Sequence, residues 1–224
     1  MTKQKLSERI LPKYTKGEEI FNMVSHIIGG GLGVIPLTLC VIFAALRQNV
    51  YGVISSSIYG TSLIMLYTMS SIYHGLSPRL TSKKVFQVLD HCSIFFLIAG
   101  TYTPITLSAL RKYDPMLGWS IFSVVWAAAI VGIVLNSIDI KKYKKLSAIC
   151  YLLMGWCIVF AWKPTAAALE NNAMILLLSG GISYTIGAMI YYFLKKKPYS
   201  HSIFHLFVVI GSIFHFFTIF LYCI

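Results

Sequence analysis

His201 and His205, in the stretch SHSIFH, stand four residues apart. On a helix they lie one turn above another on a single face. Ser70 and His74 repeat the same i, i+4 spacing, and Glu19, Asn22 and His26 fall at i, i+3 and i+7. Asp90 is the one carboxylate set inside an apolar run rather than at its fringe. Neutral imidazole is the commonest metal ligand. A catalytic zinc takes three protein ligands and keeps a fourth position open for water, whereas a structural zinc closes all four. His74, His201 and His205 are the strongest such trio in the chain. An acidic group at the depth of Asp90 is costly unless it is paired, which makes it a functional candidate by default.

These residues make a site only if the chain brings them to one depth. The 224 residues are 57% hydrophobic and 12% charged, against about 25% charged in a soluble domain. Seven apolar runs, at 21–46, 51–73, 85–110, 115–136, 146–162, 173–194 and 201–224, are each near the roughly 20 residues that cross a bilayer as a helix. The sequence therefore predicts an all-α, polytopic membrane protein, a bundle of seven transmembrane helices. Residues 1–17 form a basic lead-in and 18–224 the membrane domain. The first run is too long for the apolar part of a signal peptide and lacks an A-x-A cleavage site, so it reads as a retained span.

The net charge of +12 is distributed asymmetrically. With a cytoplasmic N-terminus, fifteen of the 19 Lys and Arg residues fall on the inner side, leaving Arg47, Arg111, Lys112 and Lys163 outside. That is the positive-inside bias, and it puts the N-terminus in and the C-terminus out. The basic clusters then meet anionic headgroups at the cytoplasmic face, not nucleic acid. In this orientation Glu19, Asn22, His26, Ser70, His74, Asp90, His201 and His205 all fall in the cytoplasmic third of the membrane. The charge count used none of the eight.

Other features read as structure. His215 lies about 15 Å beyond His205 at 1.5 Å per residue and reads as a packing residue. His91 points roughly 100° away from Asp90 around the helix and need not share its site. The run Gly29, Gly30, Gly31 and Gly33 suits close helix packing. Thr101, Thr103 and Pro104 mark a kink. Asp139, among four lysines, reads as solvated. The five cysteines are odd in number, form no C-x-x-C, and read as small packing residues.

The same residues carry a resemblance. E-x-x-N-x-x-x-H (Glu19, Asn22, His26), S-x-x-x-H followed by Asp (Ser70, His74, Asp90) and H-x-x-x-H (His201, His205) resemble the three motifs of the hemolysin III family, the bacterial branch of the progestin and adiponectin receptor superfamily. The flanks EEIFNMVSHIIGG and LDHCSIFFLIAGTYTP are similar too, and the match covers nearly the whole chain. The resemblance implies seven helices, a zinc ion near the cytoplasmic side held by three histidines, and an Asp that holds the zinc's water. It also places the family near the alkaline ceramidases, membrane hydrolases of lipid amides. The expectation is a zinc-dependent hydrolase of a lipid amide or ester in the bacterial plasma membrane. Asp90 orients water or takes its proton, Ser70 donates to the developing oxyanion, and Glu19, Asn22 and His26 support the ligands from behind. Two other classes stay open: a lipid sensor or regulator with structural zinc, and a pore-forming haemolysin. A retinal protein is excluded, since the last span has no Lys for a Schiff base.

Overall fold

The computed structural model describes residues 10–224; Lys3, Lys5 and Arg9 of the basic lead-in lie outside the described residues. Helix α1 (Lys16–Leu46) begins at a capping box. The Thr15 hydroxyl accepts the Glu18 amide at 3.3 Å, and the Glu18 carboxylate accepts the Thr15 amide at 2.8 Å. Each side chain thus satisfies a donor that the first helical turn leaves open. Helix α2 (Val50–Gly75) is capped by Asn49, and α3 (Thr81–Thr103) follows after a short turn. At Pro104, which has no amide to donate, α3 widens into a π-helical stretch, Pro104–Leu110. There Thr101, Thr103 and Thr106 turn their hydroxyls back onto the carbonyls of Leu97, Ala99 and Tyr102. The kink expected at this point is therefore a local change of helix type. A single turn, α4 (Arg111–Tyr113), leads to α5 (Pro115–Trp156), a 3-10 turn (Cys157–Ala161), α6 (Trp162–Phe193) and α7 (Ser200–Tyr222). No strand occurs among the described residues.

Among the described residues, five stretches are long and apolar enough to cross a membrane: Lys16–Leu46, Val50–Gly75, Thr81–Tyr113, Pro115–Phe193 and Ser200–Tyr222. The all-helical class follows the sequence, but the path between 115 and 193 differs from three separate runs. It is almost continuously helical for 79 residues, broken at Asp139 (φ −160°, ψ 100°), at the 3-10 turn, and at Glu170 (φ 69°, ψ 161°). The lysine-rich segment after Asp139 stays helical because Lys is a good helix former. Asp139 restarts it by accepting the Lys142 amide at 3.0 Å.

The most apolar window of α3 and its π extension is 83% buried, against 28% for α1, so this segment is the hub of the bundle. Helix α1 packs on α2, α2 on α3, α3 on α5 and α6 on α7, and α7 returns to α1. The α1–α2 contact is close at Gly29, where an added Cβ would meet the Tyr67 ring at 2.7 Å. At one end, Ser108 donates to the Cys223 carbonyl and Asn49 donates to Ser108 at 2.9 Å. At the other end, the starts of α1, α3 and α7 and the C-terminal end of α2 converge.

Candidate metal centre

Two helices supply the three histidines. His74 sits in the last turn of α2, and His201 and His205 in the first two turns of α7. One ring nitrogen from each lies within 4.8 Å of the others. The Nε2 atoms of His201 and His205 are 3.1 Å apart. Nitrogens at the ordinary zinc distance in a tetrahedral arrangement are about 3.3 Å apart, so this pair already stands at chelating separation. His74 and His205 are buried, and the His74 Nε2 has no hydrogen-bond partner among the described residues. A buried imidazole nitrogen facing two others without a donor between them is what a cation would satisfy. The donor set fits a divalent metal of the zinc kind.

The other nitrogen of His74 is accounted for. Its Nδ1 lies 2.6 Å from Oε2 of Glu19, one turn into α1. A carboxylate there fixes the ring's tautomer and leaves Nε2 as the ligand atom. The second oxygen, Oε1, accepts Nζ of Lys83 at 2.7 Å. His26 adds a fourth ring, stacked on His205 with centroids 3.8 Å apart and planes 17° apart, and held edge-on by Tyr67. It belongs to the cluster but not to the group of three whose nitrogens converge. Asn22 shares the buried stripe of α1 with His26, its amide atoms unpartnered among the described residues.

Asp90 is 14% exposed, two and a half turns into α3. Its carboxylate is within electrostatic reach of His26, His74 and His201. The Ser70 hydroxyl faces it but makes no well-formed hydrogen bond, and is 1% exposed. His91, expected to point elsewhere, in fact touches it. Its Nδ1 lies 3.4 Å from Asp90 Oδ2, although the stronger bond is to the Gln87 carbonyl at 2.9 Å. The rotation of 100° separates the Cβ atoms, and the imidazole swings back along the helix to close the gap.

Sequence reasoning missed Lys83 and the aromatic wall. Lys83 counts among the inner-side cations, yet it is 1% exposed. The signal was available, because Lys83, Gln87 and Asp90 stand at i, i+4 and i+7 on one face of α3. Tyr14, in the lead-in, stacks on His201 at 5.1 Å with planes 11° apart, and Tyr191 of α6 approaches the same ring at 4.9 Å. Burial, with a smaller effect of Tyr191, pushes the Tyr14 phenol up, so it remains a neutral hydroxyl. Glu18 locks this end shut. Its Oε1 accepts the Tyr199 amide at 2.8 Å, which joins the start of α1 to the start of α7. His215 keeps a packing role, its Nε2 3.2 Å from the Leu177 carbonyl. Its ring fills the space beside Gly180, where an added Cβ would meet it at 2.2 Å. All five cysteines are free.

Fold and site together define a multi-helix membrane protein with a buried three-histidine cluster at one end of its bundle. The chain belongs to the haemolysin-III related family, whose model matches residues 14–216. It is 39% identical over 206 residues to Hemolysin-3 of Bacillus cereus, covering 92% of this chain and 91% of that one. It is 38% identical over 211 residues to the Hemolysin-3 homolog of Bacillus subtilis (strain 168), covering 94% and 97%. The human monocyte to macrophage differentiation factor is 27% identical over 183 residues, with 79% and 74% covered.

Proposed function

We propose that this chain is a zinc-dependent hydrolase working inside the membrane on an amide or ester bond of a lipid. The observation that carries the reading is at His74. Its Nδ1 is taken up by Glu19 at 2.6 Å, its Nε2 is unpartnered among the described residues, and ligand nitrogens of His74, His201 and His205 lie within 4.8 Å of one another. Those three rings would hold the ion, which supplies Lewis acidity toward the scissile carbonyl and makes water nucleophilic near neutral pH. Asp90 accepts the proton of the attacking water and returns it to the leaving amine or alkoxide as the acyl bond breaks. Ser70, its hydroxyl otherwise unpartnered among the described residues, donates to the oxygen on which negative charge develops. His26 stacks behind His205 and keeps that ring from turning. Tyr14 and Tyr191 exclude bulk water from the side of His201. The substrate partitions into the bilayer and arrives sideways between helices.

The test is a measurement on purified, full-length protein in detergent or vesicles. Stoichiometric zinc is expected by elemental analysis, together with product release from a panel of lipid amides and esters. A chelator should stop that release and added zinc should restore it. Zinc without release over the whole panel moves the reading to a lipid sensor with a structural ion. Vesicle lysis in place of hydrolysis favours a pore-former. A chain that takes up no zinc overturns both metal readings.

The membrane arrangement is part of the same proposal: seven passes in the bacterial plasma membrane, N-terminus in and C-terminus out. Pro115–Phe193 would reach well over 100 Å as one helix at 1.5 Å per residue, against a hydrocarbon core of about 30 Å. Its breaks at Asp139 and at Cys157–Glu170 support a reading of three passes. The lysine clusters then meet anionic headgroups on the cytoplasmic face, the side of the histidines. A reporter fused after Ile224 is expected to score extracytoplasmic. A cytoplasmic score would reverse the depth of the whole site.

A further inference from the structure

Lys83 occupies a costly place. It lies in the first turn of α3, where the helix dipole disfavours cations, and α3 has no acidic residue in that turn and no side-chain cap. A lysine near a membrane surface ordinarily runs its ammonium outward to water. Here it turns inward and is 1% exposed, while its neighbours Thr81 and Ser82 are exposed. Two acceptors receive it: Oε1 of Glu19 at 2.7 Å and the carbonyl of Leu76 at 2.9 Å. Glu19 belongs to α1, and Leu76 is the residue that ends α2 directly after His74 and Gly75. One ammonium therefore ties together the three helices that carry Glu19, His74 and Asp90.

We infer that Lys83 is a positioning residue for the metal, acting on His74 through Glu19. A carboxylate held only by an imidazole can swing about its side-chain bonds. With Oε1 held by the Lys83 ammonium, Oε2 is left aimed at Nδ1 of His74. That fixes the ring with Nε2 toward His201 and His205, the orientation a metal requires. The bond to the Leu76 carbonyl anchors the ammonium itself, so that it stays beside Oε1 of Glu19. Lys83 also compensates the Glu19 charge, so the carboxylate can orient a ligand without adding net negative charge to the cluster.

The inference rests on the metal reading, and the test separates the two. Zinc affinity of the full-length chain in detergent is measured by competition with a chromogenic chelator for wild type, Lys83→Met, Glu19→Gln and the double variant. The Met side chain keeps the length and removes the charge. Lys83→Met is expected to bind zinc about 10–100-fold more weakly, as for loss of a partner behind a ligand. Glu19→Gln should lose a similar factor. The double variant should be no weaker than Glu19→Gln alone, because the two residues act in series. A wild type that takes up no zinc defeats the metal reading. A wild type that binds zinc beside a Lys83→Met chain of equal affinity defeats this inference alone. Should Lys83→Met fail to fold with the Glu19 charge uncompensated, the double variant, which removes both charges, is compared with Glu19→Gln. Equal affinities uphold the series, and a further loss in the double variant overturns it.

Discussion

Asp90→Asn is expected to cut lipid-product release by about 10²–10⁴-fold, the contribution of a positioned general base, while the chain keeps its fold and most of its zinc. Asparagine preserves the volume and a hydrogen-bonding oxygen but cannot take a proton. Asp90 is not among the three residues whose ligand atoms converge, so its replacement leaves the donors in place. The contact with His91 at 3.4 Å survives as a weaker, neutral one. A protein in which zinc is only a staple behaves differently. It has no turnover to lose, and the variant shifts melting temperature through the lost pairing with His91. Product release and melting temperature on matched, zinc-loaded samples decide between them. Zinc-dependent release that is indifferent to Asp90 would refute its role as the base.

Much of the architecture was legible because it is local. The kink marked by Thr101, Thr103 and Pro104, which proves a change of helix type, depends on residues within four positions. Apolar run length marks where helices lie. It does not mark where one helix stops and the next starts when the intervening residues are themselves good helix formers. That is why the lysines after Asp139 read as a loop and form a helix. The clustering of His74, His201 and His205 was legible in another way, since each lies near a helix end that the charge pattern assigns to the same side.

What the sequence hid is the set of contacts between helices. Glu19 meets His74 across 55 positions and Lys83 across 64, and Glu18 meets Tyr199 across 181. No periodicity carries that information. Lys83 was obscured further because a lysine beside a lysine at a membrane edge satisfies the charge rule whether or not it is buried. Its burial follows from the carboxylate opposite, which belongs to a different helix. Tyr14 was hidden for the opposite reason. It lies in a polar lead-in where nothing local requires order, and the His201 ring gives it a surface to stack on.

His201→Ala is expected to abolish stoichiometric zinc, and with it all zinc-dependent product release, whereas His215→Ala retains both. The two residues sit on one helix, are both histidines and both lie within the bundle, so the comparison controls for loss of an imidazole from α7. His201 Nε2 stands 3.1 Å from His205 Nε2 and its ring is flanked by Tyr14 and Tyr191. Removing it leaves two ligands, and a zinc site needs three protein donors to hold the ion well. His215 instead meets the Leu177 carbonyl at 3.2 Å and packs against Tyr184. Its truncation leaves a cavity beside Gly180 and removes the contact with the Leu177 carbonyl. Loss of that buried hydrogen bond costs about 0.5–1.5 kcal/mol of stability but no ligand. The measurements are elemental zinc per chain after gel filtration and the melting temperature with and without chelator. Chelator should lower the melting point of wild type and His215→Ala and leave that of His201→Ala unmoved, because only a chain that binds the ion gains stability from it. Equal zinc in wild type and His201→Ala would end the assignment of this cluster as a metal centre.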